Sequence, residues 1–258
     1  MFFVFNKQKI YAYTISIVTV ILLFCVASTL NTNEDTIQTS AENTKLLPIY
    51  NVETKEDKVA LTMNCAWNAD DIGSILKTLE ENNTKITFFM VGDWIEKFPE
   101  AVKKIYEAGH EIASHSDTHP YLNNLSYEKN IEEIEKSNDK IEKITGQRTK
   151  IYRAPYGEYN NTVIKAAQDK GYYCIQWNLD TLDYTGLTGE EMWNRIKDKI
   201  KAGDIILSHN GTKHTAEALD MILKNIKQKG LQVVTISELI YKENYTINSS
   251  GTQIYKEN

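Results

Sequence analysis

Two histidines stand four residues apart in the run His115-Ser116-Asp117-Thr118-His119. If that run coils through one turn, both imidazoles can meet a single ion. Two surface histidines would give the same spacing. The ligand reading is favoured by their place directly after a β-like run and beside other polar clusters. Arg153 is one of only three arginines, with Arg148 and Arg195, among 29 basic residues. A rigid guanidinium orients a carboxylate through two parallel bonds, which lysine cannot do. Taken alone, it fits a surface ion pair equally well. Asp180 and Asp183 are candidate partners for it, or for a histidine. His209 closes the apolar run Ile205–Ser208 and is a candidate general acid, or a satisfied core histidine. His110 falls at the other end of its run and reads as structural.

These residues need a frame, and the sequence predicts an alternating one. Strand-like runs cover Val59–Met63, Ile86–Val91, Glu111–Ser114, Lys150–Arg153, Tyr172–Trp177, Ile205–Ser208 and Gln232–Ile236. Amphipathic stretches lie between them, such as the stripe Ile72, Ile75, Leu76 and Leu79. Those stripes read as core faces. Gly109, Gly171, Gly203 and Gly230 each end a helical run shortly before a strand, as expected of left-handed C-caps. Thr188-Gly189-Glu190-Glu191 matches a capping box. Seven strands alternating with helices imply a parallel sheet. Over about 190 residues they suggest a closed or nearly closed α/β barrel, with an open doubly wound sheet as the alternative. Barrel chemistry gathers where strands end. The polar clusters fall there: Asn64-Cys65-Ala66-Trp67, the His115 run, Arg153-Ala154-Pro155-Tyr156, Asp180 to Tyr184, and Leu207-Ser208-His209. No glycine-rich nucleotide loop follows any strand.

Composition narrows the classes further. The chain has 258 residues, 41% hydrophobic and 25% charged, with a formal net charge of -6. These are globular proportions, and the acidic balance argues against a nucleic-acid partner. Three cysteines are too few for a disulfide scaffold. Residues 1–30 read as a membrane anchor or signal segment. The uncharged run 10–30 is long enough for a bilayer core, with lysines before it and acids after it. Uncleaved, it anchors the chain outside the cytoplasm. Cleaved after Ala27, it leaves a secreted protein. Residues 31–52 read as an exposed linker, 53–245 as the barrel and 246–258 as a polar tail.

Taken in order, the clusters form a recognisable set. The region from about 57 to 242 resembles the polysaccharide deacetylases of carbohydrate esterase family four, the NodB-homology domain. That family's His-Ser/Thr-x-x-His metal motif is matched by His115, Ser116 and His119. Its Arg-x-Pro-Tyr motif is matched by Arg153, Pro155 and Tyr156. Its Asp-x-x-Asp-Trp motif is matched by Asp180 and Asp183, with Tyr184 in place of Trp. Its Leu-x-His motif is matched by Leu207 and His209. The resemblance implies a distorted (β/α)7 barrel, which would follow the N-terminal membrane segment read from the run 10–30. It implies a hydrolase that removes N-acetyl groups from an extracytoplasmic glycan such as peptidoglycan or a chitin-like oligomer. It also implies a divalent ion, Zn2+ or Co2+, on His115 and His119. Asp183, Arg153 and His209 would be catalytic. Pro155, Tyr156, Tyr184, Leu207 and Trp67 would contact substrate.

The first motif departs from the family. Its Thr-Phe-Asp-Asp, which holds the base and the third metal ligand, aligns with Thr62-Met63-Asn64-Cys65. Ala66-Trp67 looks like a variant found in relatives linked to spore formation. A carboxamide has no basic site comparable to a carboxylate, so Asn64 cannot take a water proton at neutral pH. Cys65 offers a thiolate as a replacement ligand, or a small buried hydrophobe. Two function classes follow: a metal-dependent N-deacetylase, weakened at Asn64, or an inactive barrel that binds glycan or serves a structural role.

Overall fold

The apolar runs of this chain are short, rich in Val, Ile and Phe, and separated by amphipathic stretches, so each strand must be covered by helices on at least one face. A computed structural model describes residues 45–256, together with 18, 19 and 21. The strands are β1 (Asn51–Val52), β2 (Lys58–Cys65), β3 (Thr87–Met90), β4 (Glu111–Ser114), β5 (Ile151–Tyr152), β6 (Tyr173–Cys174), β7 (Leu179–Asp180), β8 (Ile205–His209), β9 (Gln232–Val234), β10 (Tyr245–Ile247) and β11 (Thr252–Tyr255). The helices are α1 (Ile72–Glu81), α2 (Gly92–Lys97), α3 (Pro99–Glu107), α4 (Tyr127–Thr145), α5 (Asn161–Asp169), α6 (Gly189–Ile196), α7 (Thr215–Gln228) and α8 (Ile236–Leu239).

The large sheet runs β6-β5-β4-β3-β2-β8-β7, with β9 alongside the first residues of β2. Every pairing in it is parallel. Its architecture is an α/β fold around a parallel half-barrel sheet. The expected fifth strand, Tyr172–Trp177, is instead two short pieces. β6 pairs with β5, and β7 pairs with β8. Between them the chain turns to other partners: the Gln176 amide donates to the Ile49 carbonyl, and Ile49 bridges Ile175. Consecutive residues of one segment therefore form the two ends of the sheet.

Side-chain alternation along β2 decides which residues can reach the cleft. Val59, Leu61, Met63 and Cys65 enter the larger core, against Ile72, Ile75 and Leu79 of α1. Ala60 turns to the opposite side, into a second core with Phe89 and Ala113. Thr62 and Asn64 follow Ala60 on that inner face. The register Asn64–Phe89 and Asn64–His209 brings the ends of three strands level. The capping box on Thr188 and Glu191 is present at the start of α6, as the sequence predicts.

Two expected boundaries are corrected. Residues 45–52 are not exposed linker: they belong to the unit that begins at Lys45, and Ile49 and Val52 are buried in its core. Gly203, at φ +87°, makes room for them, because a Cβ there would lie 1.7 Å from the Val52 carbonyl oxygen. Residues 246–256, expected as part of a polar tail, are built into a small sheet. β10 and β11 form a hairpin, and β11 pairs parallel with β1. Gln253, fully buried, exchanges two hydrogen bonds with the Tyr241 backbone at 2.6 and 2.9 Å. Nothing in the polar composition of this stretch marks it as strand. The expected membrane segment, 10–30, lies outside the described residues except for 18, 19 and 21. Among the described residues, no helix is long and apolar enough to cross a membrane.

Candidate active site

The ends of β2, β4, β5 and β8 open into a cleft of about 520 Å³. Asn64, Trp67, His115, His119, Tyr156, Asp180, Tyr184, Leu207 and His209 line it. Parallel strands present their C-terminal ends on one side, so residues distant in sequence converge there. Pro155 is buried and does not line the cleft. It corrects an expected substrate contact: Pro155 opens the turn Pro155–Gly157, which holds Tyr156 at φ 58° with its ring outward.

One wall is a closed ring of hydrogen bonds. Arg153 Nη1 donates to Asn64 Oδ1 at 2.8 Å and to Thr62 Oγ1 at 2.9 Å. Nη2 donates to the Gln176 carbonyl at 3.2 Å. The guanidinium is fully buried, with its centre 3.8 Å from the Phe89 ring centroid. Burial pulls its pKa down, partly opposed by Asp180. Neither Asp180 nor Asp183 bonds to it, although the sequence offered both as partners. Asp180 accepts instead from the Leu182 amide.

The orientation of Asn64 follows from that bond. Its Oδ1 accepts from Arg153, so its Nδ2 is the group 3.2 Å from His115 Nε2. His115 Nδ1 lies 2.8 Å from the Arg153 carbonyl, which can only accept. The imidazole therefore carries its proton on Nδ1 and receives the Asn64 amide on Nε2. Burial holds His115 neutral, with a pKa well below the ordinary histidine value; the neighbouring His119 adds to this. His119 is also pushed down by burial. Its ring meets that of His115 edge-on at 4.9 Å.

The loop carrying the two histidines is braced from behind. Ser116 and His119 adopt positive φ, at 66° and 58°. Such conformations persist only when the surroundings hold them. Glu133 on α4 accepts from the Asp117 and Thr118 amides at 3.0 and 2.9 Å. Lys140, also on α4, pairs with buried Asp117 at 2.6 Å. Gly92 leaves the space, since a Cβ there would lie 2.1 Å from Asp117 Oδ1 and 2.9 Å from the Asp117 backbone. Sequence reasoning missed Glu133, Lys140 and Gly92. Each looks like an ordinary helix residue until the loop is seen against it.

The opposite wall is built around Asp183, which is fully buried. Its carboxylate accepts from His209 Nδ1 at 2.8 Å, from the His209 amide at 2.6 Å, from the Tyr184 amide at 2.9 Å and from Thr215 Oγ1 at 2.7 Å. Four donors match the lone pairs of two oxygens. Nδ1 of His209 thus carries a proton, and Nε2 is its free nitrogen. Trp67 and Tyr184 flank that ring at 5.3 and 5.5 Å. Asp71 does not use its side chain to cap α1. Its carboxylate ties the loop after β8, accepting from the Gly211 amide at 2.7 Å and Asn210 Nδ2 at 3.2 Å.

The chain is similar to known proteins in sequence and fold. A family model described as polysaccharide deacetylase matches residues 51–175. A peptidoglycan-N-acetylglucosamine deacetylase of Bacillus cereus is 31% identical over 186 residues, covering 70% of this chain and 68% of that protein. The chain belongs to the polysaccharide deacetylase family. The uncharacterized protein YlxY of Bacillus subtilis is 33% identical over 193 residues, 75% of this chain; the match spans only 60% of YlxY. The crystal structure of BA3943, a CE4 family pseudoenzyme from Bacillus anthracis, superposes with a TM-score of 0.73 at 33% identity. That match covers 76% of this chain and 69% of the other.

Against that family, the donor set for a divalent ion does not fit. Cys65 is corrected here. It follows Asn64 on β2, so the pleat turns it away from the cleft into the core, where it is fully buried. Burial raises its thiol pKa well above the usual value, which opposes the thiolate a metal needs. His115 and His119 remain, and the Nε2 lone pair of His115 already accepts from Asn64. Among the described residues, no three His, Cys, Asp or Glu side chains are grouped to hold an ion.

Proposed function

We propose that this chain is a non-catalytic, glycan-binding member of the polysaccharide deacetylase family. The observation that carries this reading is the Asn64 carboxamide. It stands at the base position, bonded on one side to Arg153 and on the other to the His115 nitrogen that an ion would use. An amide takes no proton from water, and general-base help is typically worth a factor of about 10² to 10⁴. The partner in this reading is an N-acetylated wall glycan, supported by the peptidoglycan deacetylase among its relatives. An extracytoplasmic location, anchored through residues 10–30 or secreted, goes with that partner. So does the fuller (β/α)7 form of the barrel.

One observation favours the active alternative. The Asp183–His209 pair keeps every bond that a proton donor to a leaving amine requires, with Nε2 free. The two readings separate in one assay, acetate release from N-acetylglucosamine oligomers with added Zn2+ or Co2+. Wild type is expected to release no acetate above the protein-free control. Release that disappears in His115→Ala would overturn the non-catalytic reading.

A further inference from the structure

Among the described residues, the exposed large aromatic side chains are Trp67, Tyr121, Tyr156, Tyr184 and Tyr255. Tyr255 lies in the small sheet. Trp67, Tyr156 and Tyr184 border the cleft, and their rings contact the histidines at its centre. Tyr121 belongs to none of the sequence motifs and does not line the cleft. It stacks on Tyr156, with ring centroids 4.4 Å apart and planes 13° from parallel.

The two rings extend a row that starts in the cleft. His115 meets His119 at 4.9 Å, His119 meets Tyr156 at 4.5 Å, and Tyr156 meets Tyr121 at 4.4 Å. Tyr121 is thus three ring contacts out from the cleft centre, yet 54% exposed, and Tyr156 is 52% exposed. Such exposure of adjoining apolar faces marks a contact surface. The row is also held firmly. Leu122, directly after Tyr121, is buried and begins a short turn. Tyr156 sits at φ 58° between buried Pro155 and Gly157. A preformed aromatic face costs little ordering when it binds. Neither phenol oxygen has a hydrogen-bond partner among the described residues, so both can meet hydroxyl groups.

We propose that Tyr121, backed by Tyr156, is an outer saccharide subsite. It takes a sugar ring of an N-acetylated oligosaccharide whose neighbouring unit lies in the cleft. The flat apolar face suits the C–H face of a pyranose, and the phenol oxygens suit its hydroxyls. The subsite rests on the glycan-binding reading above and names a position within it.

The test is affinity as a function of glycan length. The full-length protein is titrated with the dimer and the pentamer of N-acetylglucosamine, by calorimetry. Wild type, Tyr121→Ala, Tyr121→Phe and Trp67→Ala are compared, and thermal unfolding checks that all are folded. Wild type binds the pentamer more tightly than the dimer. Tyr121→Ala loses about three- to tenfold on the pentamer and less than about twofold on the dimer. Tyr121→Phe keeps most of the length advantage, while Trp67→Ala weakens both ligands. Unchanged pentamer affinity in Tyr121→Ala, or equal losses on both ligands, overturns the subsite and leaves glycan binding standing. No binding of either ligand to wild type overturns both.

Discussion

The two walls of the cleft handle buried polarity in opposite ways. In the wall built on β8, a buried carboxylate collects four donors and leaves one histidine nitrogen free. In the wall built on β2, β4 and β5, a buried guanidinium and a buried histidine share a carboxamide, and no histidine lone pair on that ring remains free. The first arrangement leaves one ring nitrogen unpaired beside the cleft. The second uses both imidazole nitrogens and both terminal guanidinium nitrogens, and leaves only the Arg153 Nε without a partner. Asn64 fits there because it accepts on one side and donates on the other, which a carboxylate cannot do.

The largest contrast is expected from truncating each wall at its centre. Asp183→Ala strands the His209 and Tyr184 amides and the Thr215 hydroxyl in a buried site. It should cost about 3 kcal/mol or more, equivalent to roughly 6–12 °C in Tm. Asn64→Ala removes two bonds but leaves Arg153 with Thr62 and the Gln176 carbonyl, and should cost about 2 kcal/mol. Thermal unfolding at pH 7 measures both. A larger loss at Asn64 than at Asp183 would invert the comparison.

A smaller effect separates the β2 wall from the foot of the sheet through pH. Burial depresses His115, at the cleft, and His110, at the far end of β4; His110 is pushed down to about 4. Both folded-state values lie below the unfolded value of about 6.5, so the unfolded chain binds more protons between them. Stability is then full above about pH 6.5 and falls as pH drops towards 4. In urea unfolding at pH 7, 5.5 and 4.5, His110→Gln and His115→Gln should each make this decline shallower. A decline unchanged in both variants would assign acid sensitivity elsewhere.

The sequence made some of this site legible and hid the rest for physical reasons. The alternation of strands and helices, the capping box on Thr188 and the convergence of His115, His119 and His209 on one cleft could be read, because strand ends and helix caps leave local marks. The role of Cys65 could not, because it turns on one step of the β2 pleat. The partner of Arg153 was equally hidden. Charge suggested Asp180 or Asp183, whereas the parallel register of β2 beside β8 and the reach of β5 supply Thr62 and Asn64. Lys140, Glu133 and Gly92 act across elements, so only the packed structure shows them bracing the histidine loop. Tyr121 stood outside every motif and is marked only by its stacking on Tyr156.

The central claim is that the carboxamide of Asn64, not the loss of the surrounding site, closes the histidine pair to metal. Zinc content of the full-length protein, measured by mass spectrometry after incubation with Zn2+ and dialysis, tests it most directly. Wild type should stay far below one equivalent, with no change in Cys65→Ala. More zinc is expected in Asn64→Asp, which removes the amide that occupies the His115 Nε2 lone pair, and the gain should be lost again when His115→Ala is added. One equivalent of zinc in wild type, lost in His115→Ala or Cys65→Ala, would contradict this claim.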